Sequence, residues 1–275
     1  MNLFKIIEDI EKFDPEVHNR LDSRRAAFKS LAGFGKKVAA ASVPLAFGSV
    51  LNKAYGQTND AQKVIDTLNF ALTLEYLEDE FYKKGIMTAG LIPAADLQIF
   101  QQIGKHETAH VAFLTTVIRD TLKGTPVAKP NVDYTGSKNG TRPALLPTVF
   151  SDYATFKALA QAFEDTGVRA YKGQATNLVS NNVVLDAALR IHSVEARHAA
   201  EIRRLNGKKP WIEGNDMGGP APGITNGIYA GEENTTHAGF TRAQYTTMSD
   251  AAATRAFDEP LTKEAVLEIA GNFIY

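Results

Sequence analysis

The sequence predicts an all-α protein: a four-helix bundle with one long crossover, followed by a loop-rich C-terminal extension that ends in a short helix. Three observations carry this. Four segments show apolar residues at helical spacing, and each holds a carboxylate in its apolar column. The connections between them run short, long, short, as two antiparallel hairpins joined by one crossover require. Finally, 275 residues at 44% hydrophobic content suffice for a single large core. The formal charge of −1 gives no nucleic-acid footprint, so no nucleic-acid partner is expected. The absence of cysteine excludes disulfides, thiolate metal sites and cysteine nucleophiles.

Residues 1–56 read as an export signal. Ser23-Arg24-Arg25-Ala26-Ala27-Phe28-Lys29 resembles a twin-arginine signal, with Ala27 at the usual Phe position. An apolar stretch from Val38 to Leu51 follows, too short to span a bilayer, and Ala54-Tyr55-Gly56 offers a small-x-small cleavage site. The expected location is therefore exported, in the periplasm. The n-region is long, and Lys36-Lys37 interrupts the approach to the apolar run. The competing reading is an amphipathic helix followed by a buried one.

The bundle is expected over residues 57–207. The first helix should run from Asn59 to Lys84, with Gly85 as its C-terminal stop. Its stripe is Ile65, Leu68, Leu72, Glu75 and Tyr82, while Glu78, Asp79 and Glu80 read as a solvated face. The second helix should start near Pro93 and end near Lys123-Gly124, with Phe100, Ile103, Glu107, His110, Leu114 and Val117 in one column. Residues 124–148 hold four prolines and three glycines and make the crossover. The third helix begins after a Ser151 or Asp152 cap and presents Phe156, Ala160, Glu164, Gly167 and Tyr171. A short turn over Val179–Asn182 leads to the fourth, with Val184, Ala188, Ile191, Glu195, His198, Ile202 and Leu205, ending at Asn206-Gly207. Residues 208–275 are glycine- and proline-rich and read as a wrap anchored by Trp211, Phe257 and Phe273. A last helix is expected from Thr262 to Phe273.

The chemistry lies in a doubled unit. Glu75 is followed 32 positions later by Glu107-Thr108-Ala109-His110; Glu164 is followed 31 positions later by Glu195-Ala196-Arg197-His198. Each Glu-x-x-His sets its two side chains one turn apart on one helical face. A carboxylate in an apolar stripe is costly unless it meets a cation or a proton. Four converging carboxylates and two imidazoles are neutralised by two divalent ions, and oxygen and nitrogen donors without sulfur suit iron or manganese; zinc ranks behind them because it brings no redox chemistry. One Glu from each of two helices with Glu-x-x-His from each of the other two is the known ligand pattern of di-iron and di-manganese carboxylate bundles. By that template Glu75 and Glu164 each serve one ion, Glu107 and Glu195 bridge, and His110 and His198 supply one nitrogen each. Tyr82 and Tyr171 stand seven residues after their glutamates, as hydrogen-bonding or redox-active phenols or as core aromatics with a wet hydroxyl. His192 is a flanking or supporting residue, His106 should point outward, and His237 should be exposed.

Leu72-Thr-Leu-Glu-Tyr-Leu-Glu-Asp-Glu-Phe-Tyr82, Phe163-Glu-Asp-Thr-Gly-Val-Arg-Ala-Tyr171, Glu195-Ala-Arg-His198 and Ala256-Phe-Asp-Glu-Pro-Leu-Thr-Lys263 together resemble the ferritin-like domain shared by plant desiccation-related proteins and many exported bacterial proteins. The resemblance covers residues 58–275. The broader group implies oxygen- or peroxide-dependent redox work at a dinuclear centre. The first expectation is thus an oxidoreductase acting on peroxide or dioxygen, catalase-like with manganese or ferroxidase-like with iron, in stress defence. The alternative is a non-enzymatic, metal-stabilised stress or desiccation protectant or binding protein. A storage cage ranks below both because of the long tail. No stable membrane span is expected, and self-association as a homo-oligomer is left open.

Overall fold

A computed structural model describes residues 58–214 and 227–275. The expected export signal lies outside the described residues. Four long helices form the bundle: α1 (Thr58–Met87), α2 (Ala94–Thr116), α3 (Tyr153–Gln174) and α4 (Asn182–Leu205). α1 pairs with α2 and α3 with α4, as the short connections require. Among the described residues that follow are the short helices α5 (Arg242–Tyr245), α6 (Asp250–Thr254) and α7 (Lys263–Ala270). No strand occurs among the described residues, and no helix there is long and apolar enough to cross a membrane.

Side-chain caps set the helix starts. Asp152 accepts the Thr155 N–H at 2.7 Å, Asn181 the Val184 N–H at 3.1 Å, and Thr262 the Ala265 N–H at 3.2 Å. Two expected ends differ. α1 continues past Gly85 to Met87, because Gly85 is a packing residue: a Cβ there would collide with the Phe156 ring. α2 does not stay α-helical to Lys123. Its last turn widens into a π-turn over Val117–Thr121, with Leu122 N–H on Val117 O at 2.9 Å, and the chain turns off at Lys123 with φ of 57°.

The bundle core has two apolar clusters. One holds Phe81, Phe100, Phe156, Phe163 and Ile202, with Phe81 and Phe156 stacked at 4.7 Å. The other holds Leu68, Leu72, Leu114, Val117, Val184 and Ile191. The positions between them along each helix are Glu75, Glu107–His110, Glu164 and Glu195–His198, so the polar residues occupy the middle of the core.

The described part of the C-terminal segment packs on α3, but its anchors are not all those expected. Phe273 is buried, whereas Trp211 and Phe257 are 42% and 37% exposed. The main anchor is Arg169 on α3. Its guanidinium pairs with Glu232 at 2.8 Å and donates to the Glu259, Ala230 and Ile228 carbonyls. A second lock is Asp165, which accepts from Arg203 at 2.8 Å and from Tyr229 at 2.6 Å. These contacts explain why α3 is buried almost all round: one face meets the bundle and the other meets the tail. The crossover is fixed from both sides. Tyr134 donates to the Leu77 carbonyl at 2.6 Å, and the chain end pairs with it through Asp133 N–H to Phe273 O at 2.8 Å.

Candidate metal centre

The bundle brings all six sequence-identified donors together. Glu75, Glu107, His110 and Glu195 present ligand atoms within 4.8 Å of one another, and so do Glu107, Glu164, Glu195 and His198. Glu107 and Glu195 belong to both groups. All four glutamates are fully buried. α1 and α3 contribute one glutamate each, while α2 and α4 each contribute a pair separated by one turn, which is what the Glu-x-x-His spacing provides.

Each imidazole turns its Nδ1 inward. His110 Nδ1 lies 3.2 Å from Glu75 Oε2, 3.0 Å from Glu107 Oε2 and 3.2 Å from Glu195 Oε1. His198 Nδ1 lies 2.9 Å from Glu107 Oε1 and 3.3 Å from Glu164 Oε2. Yet Glu107 Oε1, Glu164 Oε2, both Glu195 oxygens and His198 Nδ1 lack an aligned hydrogen-bond partner. Within each donor group these atoms lie within 4.8 Å of one another, close but poorly aligned for hydrogen bonding among themselves. A buried carboxylate oxygen left so costs about 1–3 kcal/mol or more. Donors converging on a cation look like this, so the residues fit a metal pair.

The electrostatics agree. Burial lifts Glu75 to about 7 despite the neighbouring His110. Burial, reinforced by the other carboxylates, pushes Glu195 well above the usual range. Burial acts on Glu107 in the same sense, but its bonds to His110 and His198 outweigh it and hold that carboxyl at about 2. Burial disfavours the charged imidazole of His198, but the Glu164 and Glu107 carboxylates overcome it and push the group up to about 11. His110 is raised by the same kind of balance. Without a metal, the cluster holds itself together by keeping protons.

The two tyrosines cross over. Tyr82 on α1 donates to Glu164 Oε1 on α3, and Tyr171 on α3 donates to Glu75 Oε1 on α1. Neither serves the glutamate seven residues before it. Burial and the carboxylates raise both phenols well above their ordinary value, so both stay donors. Each outer glutamate thus commits Oε1 to a tyrosine and leaves Oε2 facing the centre.

Three sequence readings need correction. Glu78 and Asp79 are 4% and 5% exposed rather than solvated. Glu78 faces the centre: its Oε1 and Glu195 Oε2 lie 3.3 Å and 3.4 Å from the point where a Cβ on Gly167 would sit. Burial and then the Glu195 and Glu164 charges push its carboxyl well up. Asp79 instead ties α1 to α2 by accepting from Thr108 at 2.6 Å. The signal for both was the Glu75 column itself, since three and four residues later the chain is still on a neighbouring helical row.

The second correction is His106, which does not point outward. Its Nδ1 sits 2.8 Å from His198 Nε2, its Nε2 sits 2.7 Å from Gln102 Nε2, and its ring stacks on that of His198. It therefore holds the far nitrogen of an imidazole that faces the centre. The pattern His106-Glu107-x-x-His110 could have flagged it, although the two histidines do not share a metal group. His192 is half-buried and belongs to neither group. The third is His237, which is partly covered by stacking on Phe257 at 3.7 Å.

A family model described as a ferritin-like domain matches residues 63–208, more than half of the chain. No curated protein matches it.

Proposed function

We propose, from the premise that this chain belongs to the ferritin-like domain family, that it is a carboxylate-bridged dinuclear metal protein, of iron or manganese, that reduces peroxide or dioxygen. The observation that carries the reading is the clustering, within 4.8 Å of one another in each donor group, of buried oxygen and nitrogen atoms of Glu107, Glu164, Glu195 and His198 that lack aligned hydrogen bonds. A ferritin-like domain with buried Glu and His clusters is compatible with a metal pair.

In this reading Glu107 and Glu195 would serve both ions, since both lie in each donor group. Glu75 and Glu164 each offer Oε2, and His110 and His198 each offer Nδ1. Two redox-active ions there would supply one electron each to a bound O–O group. The chain's own residues do the rest. Tyr82 and Tyr171 fix the outer glutamates and keep a proton beside each. His106 sets the plane of His198. The apolar clusters above and below exclude bulk water, which strengthens every charge interaction inside. The sequence reading of residues 1–56 places this chemistry in an exported protein.

The test is anaerobic loading with Fe(II), or loading with Mn(II), followed by mixing with hydrogen peroxide or dioxygen in a stopped-flow spectrometer. Oxidation of bound iron, or peroxide disproportionation by bound manganese, is expected in wild type and lost in Glu107→Ala. A loaded protein inert to both oxidants would leave the metal-stabilised, non-enzymatic reading instead.

A further inference from the structure

The two copies of the ligand unit are not equivalent at one position. Three residues after Glu75 comes Glu78; three residues after Glu164 comes Gly167. One copy supplies a carboxyl and the other leaves a gap. Glu78 Oε1 and Glu195 Oε2 both border that gap, at 3.3 Å and 3.4 Å from the missing Cβ. Glu195 Oε2 is fully buried and has no hydrogen-bond partner. A cavity of about 10 Å³ opens on the same gap. Glu78, Thr166 and Gly167 line it toward the centre, and Ile269 and Ala270 of α7 close it from the tail side.

We propose that this notch at Gly167 is where the oxidant reaches the metal centre, and that the C-terminal helix sets the size of molecule admitted. The inference rests on the redox reading above and adds a substrate class to it. A space of this size holds at most about one water, so only the smallest oxidants, hydrogen peroxide or dioxygen, can pass with slight side-chain movement, and organic hydroperoxides are rejected. Glu78 gives it a carboxyl, the Thr166 hydroxyl is committed to the Ala162 carbonyl, and Leu74, Leu77, Phe163, Ile269 and Ala270 make the rest apolar, as suits a small, weakly polar visitor. The tail then has a functional role: without α7 the notch would lose its outer wall.

The experiment compares hydrogen peroxide with ethyl hydroperoxide as oxidants of the Fe(II)-loaded full chain, each rate divided by its rate with Fe(II)-EDTA. Wild type should favour hydrogen peroxide by about tenfold or more. Ile269→Ala, which widens the outer wall, should reduce that preference severalfold by admitting the bulky oxidant. Gly167→Ala should slow hydrogen peroxide by about tenfold while iron content per chain stays at the wild-type level. Equal normalised rates for the two peroxides in wild type, or a preference unmoved by Ile269→Ala, would overturn the notch and leave the redox function standing. Failure to bind iron, or iron inert to hydrogen peroxide, would remove the function and this inference with it.

Discussion

The metal-free protein should lose stability as the pH rises from about 4.5, and metal should restore it. The glutamates act first. Glu75 has a folded value of about 7 against an ordinary 4.5, and burial also raises Glu195 and Glu78. Between those values the folded chain keeps a proton that the unfolded chain releases, so stability falls with pH. The imidazoles act next and in the same sense. His198 holds its proton up to about 11 where an unfolded histidine loses it near 6.5. Its contribution is full below 6.5 and is lost as pH climbs to 11. Glu107, held at about 2, works the other way, but only below pH 4.5. Glu75 alone accounts for on the order of 3 kcal/mol between pH 4.5 and pH 7 and above, at 1.36 kcal/mol per unit. Two divalent ions would replace these protons, so the loaded protein should be nearly flat over the same range, and loading should release protons. Urea unfolding at pH 5, 7 and 9, with EDTA or with Mn(II), measures the first effect. The buffer dependence of the calorimetric binding enthalpy measures the second. Metal-free stability that is constant or rises between pH 5 and 9 would refute the reasoning, because it would mean that the carboxylates ionise without opposing one another.

Three further outcomes follow from the contacts. Tyr82→Phe and Tyr171→Phe each strip a buried oxygen of its donor; metal affinity should fall about 10–100-fold in a metal-binding titration, with the fold intact by circular dichroism. Arg169→Met leaves Glu232 buried without its ion-pair partner and should cost about 3–5 kcal/mol in urea unfolding, with the tail becoming sensitive to limited proteolysis; adding Glu232→Leu should recover only the part due to the unpaired charge, because the Ile228, Ala230 and Glu259 carbonyls stay without their donor. His106→Ala should weaken one of the two metal positions about 10–100-fold and spare the other, and His106→Gln should rescue part of it, since only His198 is held by this residue.

The bundle was legible because its signals are local. A cap such as Asp152 and the apolar columns depend on spacing within one helix. The six donors were legible for the same reason, each standing where a leucine would otherwise sit. What the sequence hid was contact across elements. Glu78 read as solvent-facing because two of its neighbours are acidic; it is buried because Gly167, on another helix, leaves it room. Gly85 read as a stop because stops favour glycine, but the Phe156 ring requires it inside the helix. Each tyrosine was placed in the column of its own glutamate, and only assembly of α1 against α3 shows that each serves the other's. Arg169 gave no sign of being the tail's anchor, since its partners are mostly carbonyls far along the chain.

The central claim is that Glu75, Glu107, His110, Glu164, Glu195 and His198 hold a pair of metal ions. Its most direct test is metal analysis of protein purified from its native compartment, beside a Glu107→Ala, Glu195→Ala double variant prepared in parallel. Two iron or manganese ions per chain are expected in wild type and loss of both in the variant, because both glutamates belong to each donor group. A wild-type protein without metal, or a variant with unchanged metal content, would contradict it.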